Sequence, residues 1–537
     1  MMSSPPSSSS LSSSSSSSSS LPPPPPPVPK PPAPSNSINR SALRPFLTIT
    51  ATYLLFTITD GALRTITLLF AYNAGLTALE LSLIFGFYEL AGVATNVGAG
   101  VLGGRMGIRF TLITGLALQM MCFGLLFLWD ESWEKVSVVF FVGFTQVLGG
   151  VAKDLVKLGG KSVSKLVTTD EQQGLLFKLV SLLTGWKNSL KGVGYFLGSF
   201  LLSISYHLSL TVMLCLLALA VPFAVTLPRD MGKIRGGKPV AVRDIFRLSN
   251  PRLTRLSIAR MFLFMSRDLW FEVPLPFYLR SPTCDIGPDV TCALSSECPS
   301  GSLCTGPSFC ANQNPGGGCG GLGWSKVLTG TFLGLYIIVY GQVQSWTPQL
   351  VLGPLKQSPP NKYTEVLWGI LNTVPTLTLS ILMFSAPYYL SHTQEPMVAT
   401  LISSVSVFAV VFAINSSVHS YLVVKYAARD KVAMSVGLYY MSNACGRLLG
   451  TVGSGLVYSY AGADEGADVG TDGRVGLAAC MAAASACSLA AAAVTAGIED
   501  REGGLNCGRI VCVGERERYE EREVEMREVE GEGEDDG

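Results

Sequence analysis

The sequence is poor in charged residues. Asp, Glu, Lys and Arg together make up 14% of its 537 residues, whereas 48% are hydrophobic. Soluble domains carry about 25% charged residues, so this composition is typical of a membrane protein. The formal net charge is +1, and charge therefore gives no reason to expect a nucleic-acid partner.

Residue types that usually carry catalysis are also scarce. The chain has three histidines, His207, His392 and His419, and it contains neither H-E-x-x-H nor G-x-S-x-G. These are the patterns of zinc proteases and of serine hydrolases. We therefore expect no enzyme, no metal centre and no cofactor.

Both ends of the sequence lack the composition of a packed core. Residues 1–43 are mainly Ser and Pro, and no acidic residue precedes Asp60. Such a stretch buries too little apolar surface to order itself, so we expect a disordered leader. Residues 499–537 mix Glu with Arg and close on EGEGEDDG, which indicates a charged cytosolic tail.

Between these ends, apolar stretches long enough to cross a bilayer recur twelve times. About 20 residues of helix span the hydrocarbon core, and the sequence predicts an all-α membrane protein. The predicted spans are 46–72, 79–102, 110–129, 136–158, 175–204, 208–227, 256–279, 325–350, 365–386, 397–420, 432–460 and 475–498.

The short loops between the spans predict the orientation. Basic residues follow spans two, four, six, eight and ten, whereas the opposite loops, such as DESWEK and SHTQEP, are neutral to acidic. Loops rich in Lys and Arg stay on the cytosolic side. We therefore expect both termini in the cytosol. The basic linker 228–255 divides the spans into two bundles of six, 44–227 and 256–498.

A cysteine-rich loop, 280–323, lies between spans seven and eight on the predicted exterior. Six cysteines in a Gly-rich loop outside the cell are expected to form disulfides. A zinc site is the weaker alternative, because the six form no C-x-x-C pair and no histidine accompanies them. The pairing stays open among Cys284, Cys292, Cys298, Cys304, Cys310 and Cys319.

Ionisable residues occur in the middle of several spans. A charge at the centre of a bilayer costs at least about 2.5 to 3.5 kcal/mol, so such residues normally face a polar cavity or one another. The basic ones are Arg64, Lys153, Lys157, Lys187, Lys191, Arg260, Arg267 and Arg447, and the acidic ones are Asp60, Glu89, Asp154, Asp268 and Glu272.

Eight basic groups against five acidic groups leave a surplus of positive charge. The eight basic residues, together with Asn443, are therefore the candidate substrate-binding residues, and the expected substrate is a small organic anion with several charges. The alternative for pairs such as Asp60 and Arg64, four residues apart, is a purely structural ion pair. Lys161 and Lys165, farther along span four, are expected to reach the headgroups.

The five acidic residues have two possible roles. Glu89 or Asp268 could exchange a proton as the cavity opens to either side, or the acids could only balance the bases. The stretch GVGYFLGS in span five, with Gly194 and Gly198, is similar to an antiporter helix without its proline. Close helix packing at small residues explains it equally well.

The stretch GVLGGRMGIR at the junction of spans two and three resembles the loop motif of the major facilitator superfamily. Gly100, Arg105, Gly107 and Arg109 match a tight turn with a basic cluster. An Asp usually stands where this sequence has Gly104, so the acidic partner of the inner gate is missing. The resemblance implies two six-helix halves that give alternating access to a site at their interface.

Seven further stretches resemble the organoarsenical-efflux permeases of that superfamily, the ArsJ type. The likeness runs from about residue 44 to 460, and the stretches are FTITDGALR, FYELAGVATN, AKDLVKLGGKSVSKL, LLTGWKNSLKGVGYFLG, LPRDMGK, FLFMSRDLWFEVPLPFYL and HSYLVVKYAARDKVAMSVGLYYMSNACGRLLGT. It implies export of 1-arseno-3-phosphoglycerate and a functional link to glyceraldehyde-3-phosphate dehydrogenase, which makes that ester. The cysteine-rich loop and both tails lie outside the usual pattern.

Two alternatives to arsenical export remain. The same cationic cavity would serve a carrier of sugar phosphates or phosphoglycerates, and the chain could also be a membrane sensor that transports nothing. We expect a monomeric multi-pass protein in contact with the lipid bilayer. The plasma membrane is the expected location, with a plastid or vacuolar membrane as the alternative.

Overall fold

The computed structural model describes most of the predicted membrane region. The described residues are 40–130, 132–167, 173–228, 251–282, 302–305, 309–312, 318–357, 360–389, 395–426, 432–463, 471–499, 506–507 and 510–511. The leader to residue 39, most of the linker and most of the tail lie outside them, and the domain boundaries drawn there stay predictions.

Each of the twelve predicted spans corresponds to one long helix or to two consecutive shorter ones, and we number the spans accordingly from one to twelve. The helices are Arg40–Asn73, Ala78–Met106, Ile108–Leu126, Lys135–Val167, Gln173–Ile204, Tyr206–Val225, Pro251–Phe271 with Pro274–Arg280, Lys326–Trp346, Lys362–Leu371 with Thr373–Tyr389, Glu395–Tyr426, Val432–Ala461 and Gly473–Ala496. Within the described residues, nine spans are long and apolar enough to cross a membrane. The expectation of an all-α membrane fold is confirmed.

The surface of the bundle is apolar where it would meet lipid. Phe140, Phe144 and Leu335 are each more than half exposed, whereas charged side chains in the middle of the spans, such as Arg64, Glu89 and Asp268, are buried. Side chains in contact with hydrocarbon are expected to be apolar, because water is absent there. The exposed hydrophobic residues are therefore consistent with a bilayer around the helices.

Three spans contain irregular segments that hydropathy alone did not predict. Span seven breaks between Phe271 and Pro274, and span nine breaks at Asn372. Span eight continues past Trp346 as a π-helix, Thr347–Leu352. Pro274 directly follows the first break, and Pro348 is the second residue of the π-helix. Proline lacks a backbone N–H donor and disrupts regular helix geometry.

Small residues let several helices approach closely. A Cβ atom placed on Gly194 of span five would lie 2.1 Å from the carbonyl oxygen of Ile58 in span one, and one on Gly198 would lie 3.0 Å from Ala62. The geometry supports the packing interpretation of GVGYFLGS. Gly107, between spans two and three, has φ +79°, a conformation that glycine adopts without strain.

Two pairs of spans join the predicted halves. Span five packs along span eight, and span two packs along span eleven. Span one lies beside span five, and span four lies beside spans two and five. Span seven lies beside spans eleven and twelve. A central space is left between spans one, two, four and five on one side and seven, eight, ten and eleven on the other.

The described strands are short. β1 (Ser302–Thr305) pairs antiparallel with β2 (Phe309–Asn312), so that Cys304 lies opposite Cys310 in the backbone register. β3 (Gly318–Cys319) pairs parallel with β4 (Thr471–Asp472), which precedes span twelve, and β5 (Asn506–Cys507) pairs with β6 (Ile510–Val511). Cys284, Cys292 and Cys298, and the side chains of the other three loop cysteines, lie outside the described part, so the disulfides stay a prediction.

The two ends of the bundle differ in character. Arg109 donates to the carbonyl oxygen of Leu227, Lys362 donates to that of Ile498, and Arg255 donates to that of Gly497. We call this basic end the inner end and the opposite one the outer end. Cations at the last carbonyls of a helix are stabilised by its dipole.

Candidate functional site

A cavity of about 290 Å³ lies between the two sets of spans. Eight spans line it: one, two, four, five, seven, eight, ten and eleven. Thr184 and Val423 extend its lining toward the inner end. Its charged lining consists of seven basic side chains, Lys153, Lys157, Lys187, Lys191, Arg260, Arg267 and Arg447, and three acidic ones, Asp60, Glu89 and Glu272.

The cavity brings together eight of the nine residues that the sequence singled out for substrate binding. Asn443 is among them, and its buried Oδ1 has no hydrogen-bond partner within the described region. The ninth, Arg64, lies behind the wall. Its side chain is 1% exposed, and it contacts Glu89 and, at 3.4 Å, Glu272. Arg64 therefore pairs with carboxylates inside the wall and does not line the cavity.

An ion-pair network connects the two predicted halves at the cavity wall. Arg447 of span eleven lies 2.8 Å from Glu89 of span two and 3.1 Å from Glu272 of span seven. Its Nε also lies 3.0 Å from Asp268, which Arg267 contacts in turn. Lys153 approaches Glu89 at 3.6 Å. Buried charges of both signs thus compensate one another across the interface.

Asp60 is paired differently from the expectation. Asp60 contacts Lys191 of span five at 3.6 Å and accepts from Tyr88. The pair with Arg64 four residues along the helix is wrong, because the side chains of Asp60 and Arg64 reach other spans. Asp154 contacts Lys157 at 3.0 Å and accepts from Asn96 at 3.2 Å.

Arg260 differs from the other buried arginines. It is 6% exposed, and within the described region it contacts no carboxylate. Its Nη1 donates to the carbonyl and the hydroxyl oxygens of Ser416, at 3.3 and 3.2 Å, and its guanidinium lies 4.0 Å from the ring centre of Phe264. Its Nε has no hydrogen-bond partner there. No carboxylate in the described region compensates this charge by direct contact.

The basic residues are sorted by type. The four lysines of the lining lie on spans four and five, and the three arginines lie on spans seven and eleven. Arginine binds the oxygens of phosphate or carboxylate through two parallel hydrogen bonds, whereas lysine acts as a point charge. The cavity therefore offers two different cationic ends, one on each predicted half.

Several groups in or behind the cavity wall were missed by sequence reasoning. The ring of Tyr88 lies 4.1 Å from both Arg64 and Lys153. Asn188 of span five donates to Gln344 of span eight at 2.7 Å, and Gln344 donates to Ser416 at 3.3 Å. Uncharged polar or aromatic residues in a helix carry no distinctive sequence signal, because they occur in membrane spans for many reasons.

Aromatic contacts close the outer end. The rings of Tyr72 in span one and Phe277 in span seven are 5.2 Å apart, and Phe277 also lies 6.3 Å from Tyr458 of span eleven. The guanidinium of Arg280 lies 5.3 Å from the Tyr72 ring and donates to the carbonyl oxygen of Trp324. Spans from both predicted halves thus meet at the outer end.

The loop motif lies at the inner end. Gly107 makes the turn, and Arg109 contacts the end of span six through the Leu227 carbonyl. Gly100 and Arg105 belong to span two, but their side chains lie outside the described part. Their role in a gate stays a prediction.

Comparison with solved structures identifies the fold. A mutant of the nucleoside transporter NupG has a TM-score of 0.53 with 14% identity, over 84% of this chain and 99% of that one. A bacterial homologue of the human drug peptide transporters PepT1 and PepT2 has a TM-score of 0.55 with 11% identity, over 85% and 97%. A POT family transporter in complex with a thioalcohol-conjugated peptide has 0.56 with 10%, over 84% and 94%.

The chain has the major facilitator fold. At these identities the similarity establishes the architecture and leaves the substrate open. No protein-family model matches the sequence, and no curated protein matches it. In this fold the substrate site lies near the middle of the membrane, between the two halves, which is where the cationic cavity lies.

Proposed function

We propose that this chain is a membrane transporter that exports an organic anion with several negative charges, and that the anion is 1-arseno-3-phosphoglycerate. The observation that carries the proposal is the cavity with seven basic and three acidic side chains in its lining. Surplus positive charge in a site of low dielectric strongly favours an anion with several charges. Removal of this ester from the cytosol would confer arsenate resistance.

The sorting of the basic residues suggests how such an anion would bind. A phosphate or arsenate group would accept paired hydrogen bonds from Arg260 or Arg267. The opposite anionic end would lie among Lys153, Lys187 and Lys191. A substrate charged at both ends would then contact both halves at once, and its binding would favour their closure around it.

The closed outer end suggests the direction from which the anion enters. The contacts of Tyr72, Phe277 and Tyr458 block the outer side, whereas the cavity extends toward Thr184 and Val423. We propose that the anion enters from the cytosol, and that rocking of the two halves then opens the outer side. The proposed location is the plasma membrane, with both termini in the cytosol.

We propose that export is coupled to protons. The sequence suggested Glu89 and Asp268 as the acids that exchange the proton, but each contacts arginines. An ion-pair role therefore suits these two acids better than proton exchange. The membrane potential supplies a further driving force, about 2.3 kcal/mol per charge at 100 mV. An anion with several charges is driven outward by a potential that is negative inside.

The test uses liposomes that contain the purified full chain. Glyceraldehyde-3-phosphate dehydrogenase, its substrates and arsenate are enclosed, because the dehydrogenase then produces the ester in place. We expect arsenic to appear outside only when the enzyme and the transporter are both present. Arsenic release that is the same without the dehydrogenase would contradict the proposed substrate.

A second candidate is a carrier of phosphoglycerates or sugar phosphates. It is favoured by the lining itself, in which the arginines and lysines bind phosphate as well as arsenate. Exchange of labelled 3-phosphoglycerate across the same liposomes, with no arsenic release, selects this candidate. In either case we expect Arg267→Ala and Lys187→Ala to abolish transport while the chain still inserts into the membrane.

A further inference from the structure

A buried histidine and a buried glutamate lie in contact outside the cavity. His419 in span ten and Glu365 in span nine are 2.9 Å apart, from Nε2 to Oε1, and both side chains are fully buried. Histidine changes its charge within the physiological pH range more readily than other residues. A buried acid and a buried base in contact form a place where a proton can be held or released.

The surroundings leave part of this pair unpartnered. Glu365 Oε2 and both ring nitrogens of His419 have no hydrogen-bond partner within the described region, so the 2.9 Å approach of Nε2 to Oε1 is a close contact rather than an aligned hydrogen bond. With its amide oriented to satisfy both of its atoms, Asn415 donates to Glu365 Oε1 at 3.2 Å and accepts from the Gly369 amide at 3.2 Å. Buried polar atoms without partners cost free energy, which suggests that the pair is retained for a function.

The pair is connected to the cavity through span ten. Ser416 lies one helical turn before His419, and Arg260 donates to both its carbonyl and its hydroxyl oxygen. The charge of Arg260 also acts on His419. Arg260, a cavity-lining cation with no carboxylate contact in the described region, therefore contacts span ten one turn before the buried pair.

Few other groups face the pair. Among the described residues, the charged groups that act on His419 are Glu365 from span nine and Arg260 from span seven. Span eight presents Gln344, which donates to Ser416, and span eleven presents Tyr439, whose ring lies 4.9 Å from the Arg260 guanidinium. Arg260 is thus the cavity-lining charge that acts on the pair.

We propose that His419 and Glu365 form a proton-binding site whose occupancy sets the affinity of the cavity for its anion; the proposal rests on the function proposed above. Without the proton, the pair carries one negative charge, which acts on the positive charge of Arg260 from beside span ten. With the proton, the pair is neutral overall and the positive charge of Arg260 is left for the anion. Anion binding and proton uptake therefore favour each other.

The acids of the cavity wall are less suited to this role. Glu89 contacts Arg64, Arg447 and Lys153, and its protonation would remove a carboxylate charge that all three cations share in a buried site. Of the other histidines, His207 is exposed at the start of span six, and His392 lies outside the described residues. Among the described histidines, His419 is the one that lies inside the bundle.

The first test measures binding of 3-phosphoglycerate to the purified full chain at about pH 5.5 and about pH 8, the range in which histidine titrates. His419→Gln is compared with the wild type and with His207→Gln. The titration of the ligand itself is common to all three proteins. We expect the ratio of the two affinities to be larger in the wild type and in His207→Gln than in His419→Gln, by about fivefold. An equal ratio in all three would overturn the proposal.

A second test observes the proton directly and needs no ligand. In a chain that carries His207→Gln and His392→Gln, the remaining imidazole signal in an NMR spectrum belongs to His419. We expect this signal to shift between about pH 5 and 8, and a signal that stays constant over that range would overturn the proposal. If the wild type bound no 3-phosphoglycerate at either pH, the proposed function as a carrier of a phosphorylated organic anion would be contradicted instead. Failure of the proton site and failure of the proposed function are therefore distinguishable.

Discussion

At the residue scale, the buried arginines differ in how fully their charges are compensated. Arg64 contacts two carboxylates and is 1% exposed, whereas Arg260 contacts no carboxylate within the described region and turns to a hydroxyl, a carbonyl and an aromatic ring. A compensated charge stabilises the protein, and an uncompensated one at a cavity is available to a ligand. The two residues should therefore respond differently to the same substitution.

For Arg260→Gln we expect weaker anion binding in a stable protein. The substitution removes a charged donor from the cavity but leaves no carboxylate without a partner. A hydrogen bond to a charged group contributes about 1.5–3 kcal/mol, which corresponds to an affinity loss of about tenfold to a hundredfold. Binding of 3-phosphoglycerate to the purified variant measures it. Arg255→Gln, at the exposed inner end, is the matched control, and a loss of the same size in both would contradict the assignment.

For Arg64→Gln we expect loss of stability. Glu89 and Glu272 would each lose a cation in a buried site, and breaking a buried pair costs about 3–5 kcal/mol. The thermal unfolding temperature of the purified chain should fall well below that of Arg260→Gln. An unchanged unfolding temperature would show that Arg64 does not stabilise the wall.

The sequence predicted the members of the site better than their partners. Ionisable residues in a membrane span must face a cavity or each other, so this rule singled out ten residues, seven basic and three acidic, that line the cavity. Their pairing depends on which helices cross and at what height. Asp60 therefore contacts Lys191 from another span and not Arg64 from its own, and the burial of Arg64 behind the wall could not be predicted.

At the scale of helices, close crossings of spans one and five depend on small residues. A side chain on Gly194 would meet the carbonyl oxygen of Ile58 at 2.1 Å, whereas a side chain on Gly124 of span three would meet nothing within 4 Å. Both glycines lie inside helices. They differ in the space beside them.

We expect Gly194→Ala to destabilise the chain, by about 1–3 kcal/mol, because overpacking forces the two helices apart. Gly124→Ala is the matched control and should be neutral or slightly stabilising, since alanine favours a helix more than glycine does. Thermal unfolding of both purified variants measures the difference. Equal stability of the two would contradict the close crossing.

The helices themselves were largely predictable, and their irregularities were not. No water is available in lipid, so a span must satisfy its backbone N–H and C=O groups by hydrogen bonds within itself. A long apolar stretch therefore predicts a helix. The break of span seven before Pro274, the break of span nine at Asn372 and the π-helix Thr347–Leu352 depend on neighbouring helices. The hydropathy of a stretch does not predict such local changes in the helix.

At the scale of the whole molecule, the fold and the charge distribution point in the same direction. The major facilitator fold places a site between two halves, and the chain fills that place with lysines on one side and arginines on the other. Tyr72 and Phe277 close the outer end above it. A neutral substrate would leave the surplus positive charge of the lining without a counter-ion.

Binding of small molecules of graded charge to the purified full chain tests the central claim most directly. Labelled 3-phosphoglycerate is bound first, and glycerol, lactate and a nucleoside are then added as competitors beside unlabelled phosphoglycerate. We predict displacement only by the anion with several charges, and weaker binding of the label by Arg260→Gln. Displacement by the nucleoside or by glycerol as effective as that by phosphoglycerate would contradict a cavity built for a polyanion.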